Sequence, residues 1–329
     1  MNWLSFTELK QTLDGYRPLP PALVKNLEQW FKVELTYTSN ALEGNTLTRS
    51  ETAVVVEKGL TVSGKTLVEH LEATNHARAY EHILGIAGRR SNTLSAQDIL
   101  TIHEAILKGI DDHNAGCYRS VMVKLSGSQF ILPNPLKVPD LMDEFVCWMK
   151  GPGNMHPVEL AAEAHYRLVT IHPFSDGNGR TARLLMNLVL IQHGYPPALI
   201  RSRDRLKYIQ SLEQAQLGGS KEDYYRLVGA ALKRSFGIYL RALRGEQDEP
   251  ETPLLKIGEI SRRSGQTVPT IRHWIESGLI AVSDKTPSGY QLFDEEVLPR
   301  IAEIRRLQGE RYSLAEIKAL LDDGSSEGR

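Results

Sequence analysis

The stretch "IHPFSDGNGRTARLL", residues 171–185, is polar and rich in glycine at its start and then becomes apolar. Its glycines permit tight turns and let backbone N–H groups approach a ligand. Such a turn at the start of a helix is an anion-binding site. Arg180 and Arg183 are three residues apart, so both side chains project from one face of the first helical turns. This stretch therefore predicts a site for the phosphates of one nucleotide.

Two other side chains of the stretch suit chemistry on that nucleotide. Asp176 offers the hard oxygen that Mg²⁺ needs between phosphates, and His172 is the nearby side chain that can take a proton at neutral pH. Together they predict phosphoryl or nucleotidyl transfer. The alternative is a structural Asx-Gly turn that caps a buried helix. The number of ligand-compatible residue types at these spacings favours the ligand site.

The composition limits the other classes of function. The chain has 329 residues, which exceeds the usual single-domain size, and its 39 basic and 40 acidic side chains give a net charge of -1. Any contact with nucleic acid is therefore expected to be local. The two cysteines lack CxxC spacing, which predicts no zinc site and no disulfide and fits a reducing cytoplasm. No apolar stretch is long enough for a membrane span.

Most of residues 20–244 have helical periodicity, which predicts a mainly α fold. One segment breaks the pattern: "SVMVKLSGSQFIL", residues 120–132, has β-branched and apolar residues on both sides of Ser-Gly-Ser, which predicts a β-hairpin. The acidic segment around residues 245–253 contains two prolines and few apolar residues, and we interpret it as a linker.

Residues 172–183, "HPFSDGNGRTAR", match the Fic-family signature HPFx[DE]GNGRxxR at every fixed position. "HPVELAAEAHYRLVTIHPF", "AGCYR" and "LEGNTLTRSE" also resemble that family, so the resemblance covers about residues 20–240. It implies a Fic helical core whose β-hairpin is a flap that clamps a target segment as an added strand. The alternative is a hairpin with only a structural role. The resemblance also implies Mg²⁺-dependent transfer of AMP from ATP to a Ser, Thr or Tyr hydroxyl, either of another protein or of the chain itself.

The resemblance assigns a role to each signature position. His172 would be the general base on the target hydroxyl, Asp176 the Mg²⁺ ligand and Arg183 the ligand of the γ-phosphate. The α- and β-phosphates would lie in a cradle formed by Gly177, Asn178, Gly179 and Arg180. The related Doc kinases have a lysine at the position of Gly179, so the glycine implies AMP transfer and not phosphorylation.

An upstream motif, "TSNALEGN", residues 38–45, places Ser39 and Glu43 four residues apart, on one face of a helix that Gly44 would end. It resembles the family's inhibitory motif [ST]xxxE[GN], whose glutamate pairs with the second arginine of the signature. The implied pair is Glu43 with Arg183, and it would deny the γ-phosphate its ligand. The alternative is an exposed acid at a frayed helix end. In some relatives the same glutamate supports removal of AMP.

Residues 254–322 resemble a MerR-type winged helix-turn-helix, in which "VPTIRHW" would be the recognition helix. Gln291 replaces the arginine that the wing of that family would have. Duplex DNA and a docked protein both remain candidate partners of this module. The expected DNA contacts are Arg262, Arg263, Thr270, Arg272, His273 and Lys285.

These expectations define four segments: an N-terminal helical region with the inhibitory motif (1–90), the Fic core (91–244), the linker (245–253) and the winged helix-turn-helix (254–322). The main prediction is a cytoplasmic, self-inhibited adenylyltransferase that uses ATP and Mg²⁺; it does not fix the oligomeric state. The alternatives are a DNA-binding regulator whose core senses nucleotide, a transferase with another donor, and removal of AMP. A purely sensory core would not need His172 as a base.

Overall fold

The helical periodicity of the sequence corresponds to a set of packed helices in a computed structural model of the chain. The structure describes residues 1–88, 93–125, 127–246, 254–280, 282, 284–285, 290–295 and 297–323. It divides into two compact units, the first made of Met1–Ser202 with Tyr208–Asp248 and the second of Arg203–Lys207 with Glu249–Arg329. Residues 247–253 of the predicted linker lie outside the described residues.

The first unit is helical in its described part. Its core is formed around α8, which is buried along almost its whole length because its sequence is apolar on every face after the signature. The helix bounds are α1 Leu4–Asp14, α2 Pro21–Leu42, α3 Arg49–Lys58, α4 Leu67–Ile86, α5 Ala96–Leu107, α6 Val138–Lys150, α7 Pro157–Ile171, α8 Asn178–Gln192, α9 Arg205–Gln216 and α10 Glu222–Arg244; of α9, the part from Tyr208 onward belongs to this unit.

Side-chain caps set the starts of the helices that surround the candidate site. A capping box begins α5: the Ser95 hydroxyl accepts from the Asp98 N–H, and the Asp98 carboxylate accepts from the Ser95 N–H. Thr48 and Thr66 make the same reciprocal contacts at the starts of α3 and α4. These caps fix where α3 and α4 begin and hold both helices against the end of α2.

The second unit contains β1 (Leu255–Lys256), α11 (Ile257–Ser264), α12 (Val268–Glu276), β2 (Asp284–Lys285), β3 (Gln291–Phe293), α13 (Val297–Gly309) and α14 (Leu314–Asp323). The three strands pair antiparallel in the order β1-β3-β2. Gly265, with a φ of 67°, makes the turn between α11 and α12, and Ile260, Ile271 and Trp274 pack in a separate core. This is the arrangement expected of a winged helix-turn-helix.

The β-hairpin predicted over residues 120–132 is wrong for the described part of that segment, because residues 120–125 and 127–132 form no strand. Side chains bind the backbone instead of a cross-strand partner. The Arg119 guanidinium donates to the carbonyls of Val121 and Pro133 at the two ends of the loop. The Glu213 carboxylate accepts from the Ser128 hydroxyl and the Gln129 N–H near its tip.

None of the described helices combines the length and the apolar character that a bilayer crossing requires.

Candidate active site

The signature loop joins the end of α7 to the start of α8 through two left-handed residues, His172 (φ 52°) and Gly177 (φ 74°). Thr181 donates its N–H to the Gly177 carbonyl at 3.0 Å, which is the first turn of α8. The N–H groups of the residues between them have no acceptor within the helix. The start of α8 therefore presents unpaired donors and the positive end of the helix dipole, as an anion site requires.

Side chains hold this loop in one conformation. The Asn178 amide donates to the Phe174 carbonyl at 2.9 Å and accepts from the Phe174 N–H at 3.0 Å. The His103 ring stacks on Phe174 with a centroid distance of 3.6 Å. The side chain of Asn178 thus stabilises the loop, and only its backbone N–H is left for a ligand.

His103 was not predicted to belong to the site, yet it braces the loop from α5. Its Nδ1 accepts from the Gly116 N–H at 3.0 Å, so Nε2 carries the proton and donates to the Asp176 carbonyl at 3.0 Å. Burial lowers the pKa of His103 to about 4, which keeps this arrangement neutral at pH 7. Its ring lies 3.3 Å from where a Cβ would stand on Gly177, so a larger residue would disturb the brace.

His172 is oriented as a base. Its Nδ1 lies 3.3 Å from the Val169 carbonyl, which can only accept, so the proton is on Nδ1 and Nε2 keeps its lone pair. Burial lowers the pKa of His172, and the Val169 carbonyl partly opposes that shift. Arg119 fixes the backbone here, because its Nε donates to the His172 carbonyl at 2.8 Å.

The two predicted inhibitory residues and Arg183 lie together. α2 ends at Leu42 and Gly44 follows with a φ of 100°, which places Glu43 at the helix end. The Arg183 Nη2 donates to the Glu43 Oε1 at 2.7 Å, and its Nε donates to the Ser39 Oγ at 3.0 Å. The Arg183 side chain is 6% exposed and the Glu43 side chain 39%. The pair is therefore a half-buried, charge-assisted contact.

Arg180 also has carboxylate partners, and one of them was missed. Its Nη1 donates to the Glu72 Oε1 at 2.9 Å and its Nη2 to the Asp176 Oδ2 at 3.0 Å. Asn45 donates from Nδ2 to the other Glu72 oxygen at 2.8 Å. Glu72 lies on α4, far from the signature in sequence, so no local spacing signals it. Asn45, which contacts Glu72, belongs to the "LEGN" segment that resembles the family.

A buried hydrogen-bond chain supports Arg183 from behind. Its Nη1 donates to the Tyr208 hydroxyl at 3.4 Å, and that hydroxyl lies 2.7 Å from His165 Nε2. The Tyr224 hydroxyl donates to the Ala162 carbonyl and therefore accepts from His165 Nδ1 at 2.8 Å. His165 Nε2 must then accept from Tyr208, which leaves the Tyr208 oxygen free to accept from Arg183.

The expected DNA contacts differ in their surroundings. Arg272 and His273 are exposed neighbours on α12. Arg262 and Arg263 both contact Glu259, and Arg263 also reaches Glu295 at 2.6 Å. Thr270 bonds to Thr267, the N-cap of α12, so its hydroxyl is engaged in the cap. The side chain of Lys285 lies outside the described part of the structure.

Two family profiles match the chain: "Fic/DOC family" over residues 93–190 and "MerR HTH family regulatory protein" over residues 255–324. Protein adenylyltransferase Fic of Nematostella vectensis is 40% identical over 62% of this chain and 48% of its own length. The structure of a Fic domain containing signaling protein from Bacteroides thetaiotaomicron has a TM-score of 0.67 and 33% identity, covering 76% of this chain and all of that one. Fic-1 of C. elegans has a TM-score of 0.68 and 29% identity, with 74% and 72% covered.

The chain spans about half the length of the curated relatives that it matches.

The buried histidines predict a steep loss of stability in mild acid. Burial lowers the pKa of His76 and His165 to about 3, as it lowers that of His103 to about 4, from an ordinary value of 6.5. The folded chain keeps them neutral while the unfolded chain binds protons below pH 6.5. The free energy of unfolding is therefore at its maximum above that pH and falls as the pH decreases towards 4. At pH 5 the loss is roughly 1 to 2 kcal/mol per histidine.

Urea unfolding between pH 7 and pH 5 measures this loss. We expect His103→Gln to show a shallower pH dependence than the wild type, because one neutral imidazole is gone. His113 is exposed, so His113→Gln is the matched control and should keep the wild-type slope. An identical slope in His103→Gln and the wild type would contradict the assignment of His103 as a neutral brace.

Proposed function

The chain belongs to the Fic/DOC family, and from the geometry of its site we propose that it transfers AMP from ATP to a protein hydroxyl. One observation carries the proposal. His172, whose Nε2 bears a lone pair, lies on the loop that leads into α8, and the first turns of α8 contain the anion-binding N–H groups and two arginines. Binding alone would need the helix start and the arginines. A base on that loop is needed only for a reaction.

In the proposed reaction the phosphates of ATP bind to the N–H groups at the start of α8, with Arg180 on the α- and β-phosphates and Arg183 on the γ-phosphate. His172 takes the proton of the target hydroxyl while that oxygen attacks the α-phosphorus. The bond from the α-phosphorus to its bridging oxygen breaks, and pyrophosphate leaves. The products are a hydroxyl side chain that carries AMP, and pyrophosphate.

The residues present fit a magnesium ion. The carboxylate of Asp176 is hard, 69% exposed and adjacent to the phosphate-binding helix start, so it is accessible as a ligand. When bound, Mg²⁺ neutralises phosphate charge and orients the phosphates. Asp176 also contacts Arg180, and we propose that this contact holds the carboxylate next to the phosphates.

The proposed target is a Ser, Thr or Tyr hydroxyl of a protein, with the chain itself included. The loop at residues 120–132 supports this, because it exposes apolar side chains beside the anchored Arg119: Val121 is 58%, Met122 58% and Ile131 82% exposed. An extended, apolar loop beside the base offers a surface for a target segment. We propose a cytoplasmic location, since both cysteines are exposed and neither forms a disulfide.

We propose that Glu43 restrains the enzyme. Its carboxylate takes the Arg183 guanidinium that the γ-phosphate would need. It also lies 2.3 Å from where a Cβ would stand on Gly179, so the carboxylate closely covers the α8 start. ATP would then bind without its γ-phosphate ligand and in a less productive pose. The signature residues contact phosphates, so they do not determine which base the donor nucleotide carries. Removal of AMP from the target, assisted by Glu43, remains an alternative reaction.

His172→Ala should abolish AMP transfer and keep ATP binding within about twofold, because the imidazole acts on the hydroxyl and not on the phosphates. Asp176→Ala should lose the Mg²⁺ dependence of ATP binding as well. Intact-mass analysis after incubation with ATP measures transfer, and calorimetry measures binding. His113→Ala is the exposed control. A His172 variant that transfers AMP at the wild-type rate would disprove the base assignment.

Glu43→Gly should raise the rate of transfer by roughly tenfold or more, since a charge-assisted hydrogen bond contributes on the order of 1.5 to 3 kcal/mol. Arg183→Ala also breaks the pair but removes the phosphate ligand, so it should stay inactive, alone and combined with Glu43→Gly. Labelled ATP, with the four proteins compared side by side, gives the rates. If the Glu43→Gly variant folds, binds ATP and still transfers AMP at the wild-type rate, then the "SNALEG" segment ends a helix and has no inhibitory role.

A second proposal concerns residues 254–322, which we propose bind duplex DNA. The match to the MerR profile and the adjacent exposed Arg272 and His273 on α12 support it. The ion pairs of Arg262 and Arg263 with Glu259 and Glu295 weaken the contribution of those two arginines.

Gel shifts of the full chain on fragments of its own promoter region test DNA binding. Affinity should fall steeply with salt, and Arg272→Ala should weaken binding by roughly threefold to tenfold and lower the salt slope by about one. Arg305→Ala, an exposed arginine on α13, is the control. A full chain with no salt-sensitive shift would favour the protein-docking alternative.

A further inference from the structure

An open cavity of about 640 Å³ lies at the end of the first unit that is remote from the signature loop. Its lining includes Ile191 near the end of α8 and Glu28 near the start of α2. The other ends of these two helices hold the signature loop and Glu43. At 1.5 Å per residue, each helix separates the cavity from the candidate active site by about 20 Å. A ligand in this cavity would therefore not contact the phosphate site.

The cavity wall consists mainly of apolar and aromatic side chains. Three tyrosines, Tyr80, Tyr195 and Tyr239, line it together with Leu84 and Ile191. Its volume lies within the range of about 300 to 1,000 Å³ that small-molecule sites occupy. Such a wall binds the apolar part of a ligand well but does little to orient the ligand. The polar groups of the wall must set that orientation.

One of those polar groups belongs to a buried residue and has no hydrogen-bond partner within the described part of the chain. Tyr80 is only 2% exposed, and within the described residues its hydroxyl makes no hydrogen bond. Buried hydroxyls are normally paired, so an unpaired one in a cavity wall points to a ligand or to water. The ring of Tyr80 is packed in the core, which fixes the position of its hydroxyl.

The charges of the wall differ in how they are compensated. Arg17 is already engaged, because its Nε donates to Asp14 at 2.8 Å and its Nη2 to the Gly194 carbonyl at 3.3 Å. Glu28, by contrast, has neither an ion pair nor a hydrogen bond within the described part of the chain. It lies close to the Tyr239 hydroxyl: burial, with the charge of Glu28 adding to it and the charge of Arg17 opposing it, raises the pKa of Tyr239 to about 12. The uncompensated charge of the cavity is therefore negative.

We propose that this cavity binds a small molecule that combines an apolar ring or chain with a protonated amine. The apolar part lies among the tyrosine rings, whose faces also attract a cation. The ammonium group pairs with Glu28 and donates to the unpaired Tyr80 hydroxyl. A carboxylate at the same place would be repelled by Glu28. This site is independent of the transfer reaction and stands whether or not the chain transfers AMP.

Isothermal calorimetry on the full chain tests the proposal with three probes of similar size: 2-phenylethylamine, 2-phenylethanol and 3-phenylpropionate. We expect the amine to bind one site and the alcohol and the acid to bind at least about fivefold more weakly, as the loss of one charged contact predicts. Three equal affinities, or no binding of the amine at millimolar concentration, would overturn the proposal.

Two conservative variants locate the site. Glu28→Gln removes the charge from an exposed position, and Tyr80→Phe removes only the hydroxyl, so both should fold. Each should weaken amine binding by about threefold or more, while Glu144→Gln, at an exposed position on α6 outside the cavity lining, should not. Wild-type affinity in both variants would overturn the proposal. So would displacement of the amine by ATP, which would place the amine in the phosphate site.

Discussion

The site depends on a buried positive charge that must always have an anion beside it. The Arg183 guanidinium is almost inaccessible to water, and leaving such a charge unpaired costs several kcal/mol. In this structure Glu43, the Ser39 hydroxyl and the Tyr208 hydroxyl supply the partners. The γ-phosphate of a nucleotide is chemically equivalent to the Glu43 carboxylate in that role. In the proposed function, inhibition and substrate binding would therefore compete for one guanidinium.

Arg180 follows the same rule with different partners. Glu72 and Asp176 compensate its charge, and Asn45 connects Glu72 to the segment that follows Glu43. Both signature arginines therefore contact carboxylates that come from the helices N-terminal to the Fic profile match, α2 for Glu43 and α4 for Glu72. A triphosphate that enters the site would replace two carboxylates at once.

The sequence was sufficient for the parts of the site that are local and insufficient for those that are not. The signature predicted the turn, the helix start and the face shared by Arg180 and Arg183, because three-residue spacing and glycine turns act within one helical turn. The Glu43–Arg183 contact came from the family resemblance. Glu72, His103 and Tyr208 were missed because their roles arise from packing between helices distant in sequence. The hairpin prediction over 120–132 failed because β-branched residues indicate a strand only where cross-strand partners exist, and here Arg119 binds the carbonyls at the ends of the loop.

Under the proposed function, catalysis and restraint would both favour a glycine at position 179. For a ligand, a glycine in the first turn of α8 lets phosphates approach the backbone N–H groups. In the resting protein, a Cβ at this position would overlap the Glu43 Oε1 and stand 2.9 Å from the Arg183 Nη1, so the ends of these two side chains would have to move. The residue has an ordinary helical conformation, so its φ does not demand glycine. The glycine leaves room for the Glu43 carboxylate, and in the proposed reaction the anionic ligand would approach the same place.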